Sequence, residues 1–218
     1  MVVTEDLGKI TEKALCVLAG TEFDGAFKYS AADVASTVER LRPIADRLAG
    51  FVHSGRRSNL HDFEAPDGRA LSVKTVKNKG QWKVCPQILG QTTRKKFAAA
   101  RGISTEIPAI KAHILAETAA LLRVYEETTF HCPVLFYAKG ENKVLWIEHV
   151  APIPWETVAL TFSHIEKAKE WNESTSLKIG ATSLGEFQIH AHRDGVKFRF
   201  NLKTLLAAFP ACFSVREF

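Results

Sequence analysis

Around Pro66-Asp67-Gly68 the chain places two carboxylates, Asp62 and Glu64, and then a hydroxyl and an amine, Ser72 and Lys74, each at alternate positions. Alternate residues of a strand share a face. With Pro66-Asp67-Gly68 as a three-residue hairpin loop and Gly68 at its left-handed position, Glu64 pairs with Ala70 and Asp62 with Ser72. Asp62, Glu64, Ser72 and Lys74 then lie on one face, and Phe63, Leu71 and Val73 on the other. A two-residue turn at Asp67-Gly68 would instead set the acids beside Leu71 and Val73; the alternation favours the longer loop. Carboxylate oxygens suit a hard cation such as magnesium, which keeps several waters. Two carboxylates, such an ion and a lysine can neutralise phosphate charge, activate a water and stabilise charge developing on phosphorus.

A second stretch, Glu186 to Asn201, alternates as cleanly. With a two-residue turn at Asp194-Gly195 it pairs His192 with Lys197, His190 with Arg199 and Gln188 with Asn201. One face then carries Phe187, Ile189, Ala191, Phe198 and Phe200; the other carries Gln188, His190, His192, Lys197, Arg199 and Asn201, with Glu186 at its far end. Arg and Lys match guanine, Asn and Gln match adenine, and a two-stranded ribbon fits the major groove. Arg56 and Arg57 precede the Asp62 strand, and Arg94, Lys95 and Lys96 begin a helix; both groups suit phosphate contacts. A solvated charged face explains Arg94, Lys95 and Lys96 equally well. His190-x-His192 has metal-ligand character but no further ligand at motif spacing.

These segments need a scaffold. Leu7, Ile10, Ala14 and Leu18 recur at helical spacing ahead of Gly20, and Ser30 is placed to cap a second helix carrying Val34, Val38 and Leu41. Pro43 restarts that helix, and Pro108 suits the first turn of a long one with Ile110, Ile114, Leu121 and Tyr125 inward. Strands are expected at 133–138 and 143–149, and short helices at 164–171 and after Leu202. Helices, a hairpin, helices and more strands in that order predict an α/β (mixed α+β) fold: a central mixed sheet flanked by helices. The 218 residues read as one domain, with a helical part at 1–50, a catalytic hairpin region at 60–100 and a base-reading hairpin at 184–201.

Composition narrows the partners. Apolar residues make up 46% and charged residues 24%, which excludes a disordered or fibrous chain. Lys and Arg outnumber acids 29 to 24, for a net charge of +5, which favours a polyanionic partner. No run of apolar residues is long enough to span a bilayer, and residues 1–13 do not read as a signal peptide. Cys16, Cys85, Cys132 and Cys212 form no CxxC pair and read as free thiols of a cytoplasmic protein. Walker, dinucleotide-binding, Gly-x-Ser-x-Gly and His-Glu-x-x-His motifs are absent.

Asp62 and Ser72-Val-Lys74, with offsets of 10 and 12 residues, resemble the active-site hairpin of the PD-(D/E)xK nuclease superfamily, and the spacing is similar to that of PvuII-type restriction endonucleases. Lys74-Thr75-Val76 resembles the strand continuation of MutH-type nicking enzymes. Ser72 stands where the superfamily usually has Glu or Asp. Glu64 is the first candidate for the replacing acid, and Glu12 and Glu39 are further ones. The resemblance implies a type II restriction endonuclease with Asp62 and Glu64 on magnesium, Lys74 acting on water and phosphate, and Ser72 hydrogen bonding. It also implies double-stranded DNA as substrate, 5′-phosphate products and a homodimer on a palindromic target, with the N-terminal helices as dimerisation elements. A non-catalytic nucleic-acid-binding module and a MutH-like nickase are the alternatives.

Overall fold

The computed structural model describes residues 4–54, 60–190 and 192–218. In chain order its helices are α1 (Thr4–Ala19), α2 (Ala31–Leu41), α3 (Arg94–Arg101), α4 (Ile107–Ala116), α5 (Thr118–Thr129), α6 (Ser163–Glu166) and α7 (Leu202–Ala208). Its strands are β1 (Val52–His53), β2 (Phe63–Glu64), β3 (Ala70–Val76), β4 (Lys83–Val84), β5 (Gln91–Thr92), β6 (Val134–Ala138), β7 (Lys143–His149), β8 (Leu160–Phe162), β9 (Ser174–Ile179), β10 (Thr182–His190), β11 (Gly195–Asn201) and β12 (Phe213–Glu217). The class is α/β, as expected. The chain groups into two compact units: Met1–Gln81 with Cys132–His149 and Phe213–Phe218, and Trp82–His131 with Val150–Cys212.

The first unit holds the expected mixed sheet, in the order β1-β2-β3-β6-β7-β12. Among the described residues only β3 and β6 run parallel, with Ser72 beside Val134 and Lys74 beside Phe136. A parallel pair needs a long connection, and this one carries the chain through the 82–131 part of the second unit. Leu7, Ile10 and Ala14 of α1 and Val34, Val38 and Leu41 of α2 bury the helical stripes seen in the sequence. They share one core with Leu71 and Val73 of β3 and Leu135 and Tyr137 of β6. Ser30 Oγ accepts from the Ala32 and Asp33 amides to start α2. Arg42–Leu48 continues as a 3-10 helix with Pro43 in its first turn.

The first hairpin has the predicted register at Phe63 opposite Leu71 and Glu64 opposite Ala70, but the ladder stops there and Asp62 is not a strand partner of Ser72 as expected. Its loop closes through Ala65 N–H to Arg69 O at 2.8 Å and Gly68 N–H to Ala65 O at 2.9 Å. Gly68 has φ +87, a conformation that strains any side-chain-bearing residue. Arg69 locks the loop: Nε donates to Asp67 Oδ2 at 2.8 Å, and the guanidinium lies over Phe51 at 4.9 Å.

The second unit carries a separate antiparallel sheet, β4-β11-β10-β9-β8, with β5 also on β11. Here the structure corrects the expected hairpin. Lys197 faces Gln188 rather than His192, Arg199 faces Glu186, and His190 opposite Gly195 closes the ladder, in place of a two-residue turn at Asp194-Gly195. Asp194 is engaged elsewhere: its Oδ1 accepts from the Arg94 amide at 3.2 Å and from Arg94 Nε at 3.1 Å, at the start of α3. Aromatic packing holds the new register, with Phe187 and Phe198 directly opposite and their rings 4.5 Å apart. Gly185 makes room for it, since a Cβ there would lie 2.7 Å from Phe198 Cζ. The shift is even, so the strand side chains keep their expected faces: Phe187, Ile189, Val196, Phe198 and Phe200 are buried, while Glu186, Gln188, Lys197 and Arg199 are partly exposed.

The long helix expected after Pro108 breaks at Glu117 into α4 and α5, where Thr118 Oγ1 bonds the Ile114 carbonyl at 2.7 Å. The helix expected at 164–171 is the single turn α6. No helix of the described residues is long and apolar enough to cross a membrane.

Candidate active site

The first unit's chemistry gathers at one edge of β3. Ser72 N–H points to β6, donating to Pro133 O at 2.9 Å. Successive strand amides alternate in direction, so Val73 N–H points the other way, past the end of two-residue β2. No strand of the described residues pairs there. Asp62 fills the place. Its Oδ2 accepts from Val73 N–H at 2.6 Å and from Ser72 Oγ at 3.3 Å. Its own backbone is clamped on both sides, donating to Leu71 O at 3.0 Å and accepting from Ser54 N–H at 2.9 Å. The carboxylate is thus fixed by the hairpin that the sequence implied, turned into the strand edge.

Burial pushes the Asp62 carboxyl above the usual range. Lys74, the Val73 amide and Ser72 oppose that shift, while the negative charge of Glu12 adds to it. Asp62 and Ser72 are therefore brought into hydrogen-bond contact, and the charge of Lys74 acts on the same carboxyl. Glu64 lies apart in character: its side chain is 54% exposed, and its carboxylate meets His61 Nε2 at 3.4 Å. The second acid acting on Asp62 is Glu12 of α1, 19% exposed, against which His53 Nε2 lies at 3.2 Å. Glu39, on α2, pairs instead with Arg42 at the surface.

Two residues here escaped the sequence reading. Cys132 precedes β6, and its thiol is pushed up to about 12, by burial first and then by Asp62, against the pull of Lys74 and a backbone hydrogen bond at Ser72. His53 sits on β1 opposite Phe63. Nothing in sequence spacing marks either residue; only the pairing of β3 with β6, and of β1 with β2, brings them in.

A metal fits this donor set in one specific way. Among the described residues no group of three His, Cys, Asp or Glu surrounds a common point, so there is no all-protein cage. Magnesium does not ask for one: it is commonly held by one or two carboxylates, waters and substrate phosphate oxygens. Asp62 could supply one such carboxylate, and Glu12, whose charge acts on it, a second; a desolvated carboxylate gains from a cation beside it.

In the second unit the expected reading face is the interior of a sheet. β10 and β11 are flanked by β9, β4 and β5, so the base-reading hairpin is part of a larger sheet. Gln188, Lys197 and Arg199 line its polar face, with Glu186 moved from the far end to the position opposite Arg199 and 3.3 Å from Lys83 Nζ. Asn201 Oδ1 caps α7, accepting from Thr204 N–H at 3.4 Å. His190 Nδ1 lies 3.7 Å from Glu173, and His192 is in the turn. Arg94 pairs with Asp194, while Lys95 and Lys96 are exposed on α3. Lys96, His190, Arg193, Lys197, Gln91 and Thr93 line one open cleft beside the turn. Arg56 and Arg57 lie outside the described residues.

A carboxylate–lysine strand edge in a mixed α/β sheet thus shares one chain with a partly basic antiparallel sheet. Over 217 residues, 99% of this chain, the sequence is 34% identical to the type II restriction enzyme CviAII of Paramecium bursaria Chlorella virus 1. The match covers 63% of that enzyme, so the chain spans less than two thirds of its relative's length. No protein-family model matches the chain, and no solved structure matches it.

Proposed function

We propose that this chain is a magnesium-dependent, sequence-specific endonuclease acting on double-stranded DNA in the manner of type II restriction enzymes. The observation that carries the reading is the buried Asp62 carboxylate at the edge of β3, hydrogen-bonded to Ser72 and under the charges of Lys74 and Glu12. The 34% identity to a restriction enzyme over nearly the whole chain supports it.

Asp62 and Glu12 hold the ion, and the half-exposed Glu64 is the outer carboxylate of the same hairpin. When bound, magnesium lowers the pKa of the attacking water and stabilises charge on the phosphate. Ser72 Oγ and the Val73 amide fix the Asp62 carboxylate on Oδ2. Serine in the usual acid position therefore acts by orienting Asp62, and α1 supplies the missing carboxylate. The Lys74 ammonium orients the water and meets the developing negative charge on the scissile phosphate. In-line attack leaves a 5′-phosphate and a 3′-hydroxyl. Lys95, Lys96, Lys197, Arg199 and Gln188 contact DNA, together with His190, His192, Arg94, Asn201, Arg56 and Arg57. A palindromic target calls for a homodimer, whose two-fold axis matches that of the site.

The test is incubation of the purified protein with unmethylated phage DNA in magnesium and in EDTA. Discrete, magnesium-dependent fragments are expected. Conversion of supercoiled plasmid to open circles alone would make the protein a nickase. Intact DNA that is nonetheless retarded in a gel would make it a binding module.

A further inference from the structure

The site contains a histidine held in one tautomer for which stacking and burial leave no freedom. His53 Nδ1 accepts the Asp24 N–H at 3.0 Å. An accepting ring nitrogen carries no proton, so the hydrogen of the neutral ring is on Nε2. That nitrogen lies 3.2 Å from Glu12 Oε2 and donates to it. The ring is stacked on Phe23 at 4.4 Å and 18°, and meets Phe63 edge-on at 5.2 Å. Its side chain is 2% exposed. It cannot swing away from Glu12 without unstacking from both rings.

From this geometry we infer that His53 is a positioning residue, which fixes the Glu12 carboxylate by one hydrogen bond to Oε2 and presents its other oxygen to a divalent cation shared with Asp62. The inference rests on the endonuclease reading and deepens it. A glutamate on a helix has three side-chain torsions, and an unheld one would lose rotamer entropy on taking up a metal. His53 removes that freedom beforehand. It also ties the position of Glu12 to the backbone at Asp24, in the loop between α1 and α2, through a chain of two hydrogen bonds. The outer partners of metal-binding side chains typically contribute 10- to 100-fold to metal affinity.

A purely structural His53 would anchor β1 to α1 and contribute to stability alone. Two substitutions separate the roles. His53→Asn places its amide near the Nδ1 position, keeping Asp24 within reach and abandoning Glu12. His53→Gln places it near Nε2, keeping Glu12. The probe is Mn2+ binding to the full chain without DNA, followed by electron paramagnetic resonance of the free ion, with thermal unfolding measured alongside. Wild type is expected to bind Mn2+ and Asp62→Asn to lose it. His53→Asn is expected to weaken binding roughly 10-fold or more, approaching Glu12→Gln, and His53→Gln to recover most of it. Wild-type Mn2+ affinity in a folded His53→Asn protein would overturn the positioning role while leaving the endonuclease reading intact. Should the Asn variant not fold, His53→Phe, which keeps the stacking on Phe23, is judged by the same criterion. Mn2+ affinity unchanged by Asp62→Asn would overturn the metal site itself, and this inference with it.

Discussion

The edge of β3 and the polar face of β10 and β11 treat charge in opposite ways. At β3 few charges are held, deep and in fixed positions: Asp62 is buried, Glu12 is largely covered and held by the neutral His53 ring, and the hydrogen bonds converge on these two carboxylates. On the sheet of the second unit, charges are numerous and partly hydrated, and acids are interleaved with them: Glu186 with Lys83, Glu173 with His190, Asp194 with Arg94. A desolvated, fixed charge is strong and specific to one geometry. A hydrated, paired one is weak alone and easily re-partnered. The first suits a reaction whose transition state occupies one place, and the second a surface that exchanges its own acids for phosphates.

Five variants test that contrast, in descending size of effect. Lys74→Ala is expected to lower the cleavage rate by about 10²- to 10³-fold or more, with DNA affinity in a gel-shift assay nearly unchanged. Robust cleavage by this variant would break the comparison outright. Lys197→Ala with Arg199→Ala should do the reverse: affinity falls about 10-fold, the salt dependence of binding becomes less steep, and cutting at saturating DNA persists. Glu12→Gln and Glu64→Gln divide the two acids by burial. Steady-state cleavage against magnesium concentration should show the Glu12 variant needing at least about 10-fold more ion, and the exposed Glu64 variant a smaller increase. The smallest effect is on stability. The Asp62 carboxyl is raised in the folded state, so its contribution is fully favourable below the unfolded carboxylate value and is lost as pH rises through the folded one. Asp62→Asn, in EDTA, should therefore raise the melting temperature at pH 7 and converge with wild type near pH 3, by calorimetry.

What could be read in advance follows from which physical rule was local. Gly68 needs a left-handed φ, and the alternation of Phe63, Leu71 and Val73 decides the loop length, so the register around the loop of the first hairpin was legible, while Asp62, expected opposite Ser72, lies beyond the ladder. In the second, alternation specified faces but not partners. Asp194-Gly195 had the local chemistry of a tight turn, and a distant claim on Asp194 by Arg94, with the fit of Phe198 over Gly185, overrode it. Glu12 lies far from Asp62 in sequence, His53 lies on a different strand, and no periodicity links either to it. Glu12 could be proposed only as one of several acids, and His53 not at all, because its role depends on a two-residue strand opposite Phe63.

The carboxylate that occupies the Val73 amide has a further consequence, for aggregation. An unpaired N–H on a strand edge is a template on which another chain can extend a sheet. Asp62 closes β3 at the point where β2 ends, with a buried negative charge that no incoming strand can pair with cheaply. Asparagine at position 62 would still accept from Val73 and keep that closure, whereas alanine would open it. An inactive protein made with Asp62→Ala is thus expected to be prone to self-association in concentrated solution, and light scattering of the two variants side by side would show the difference.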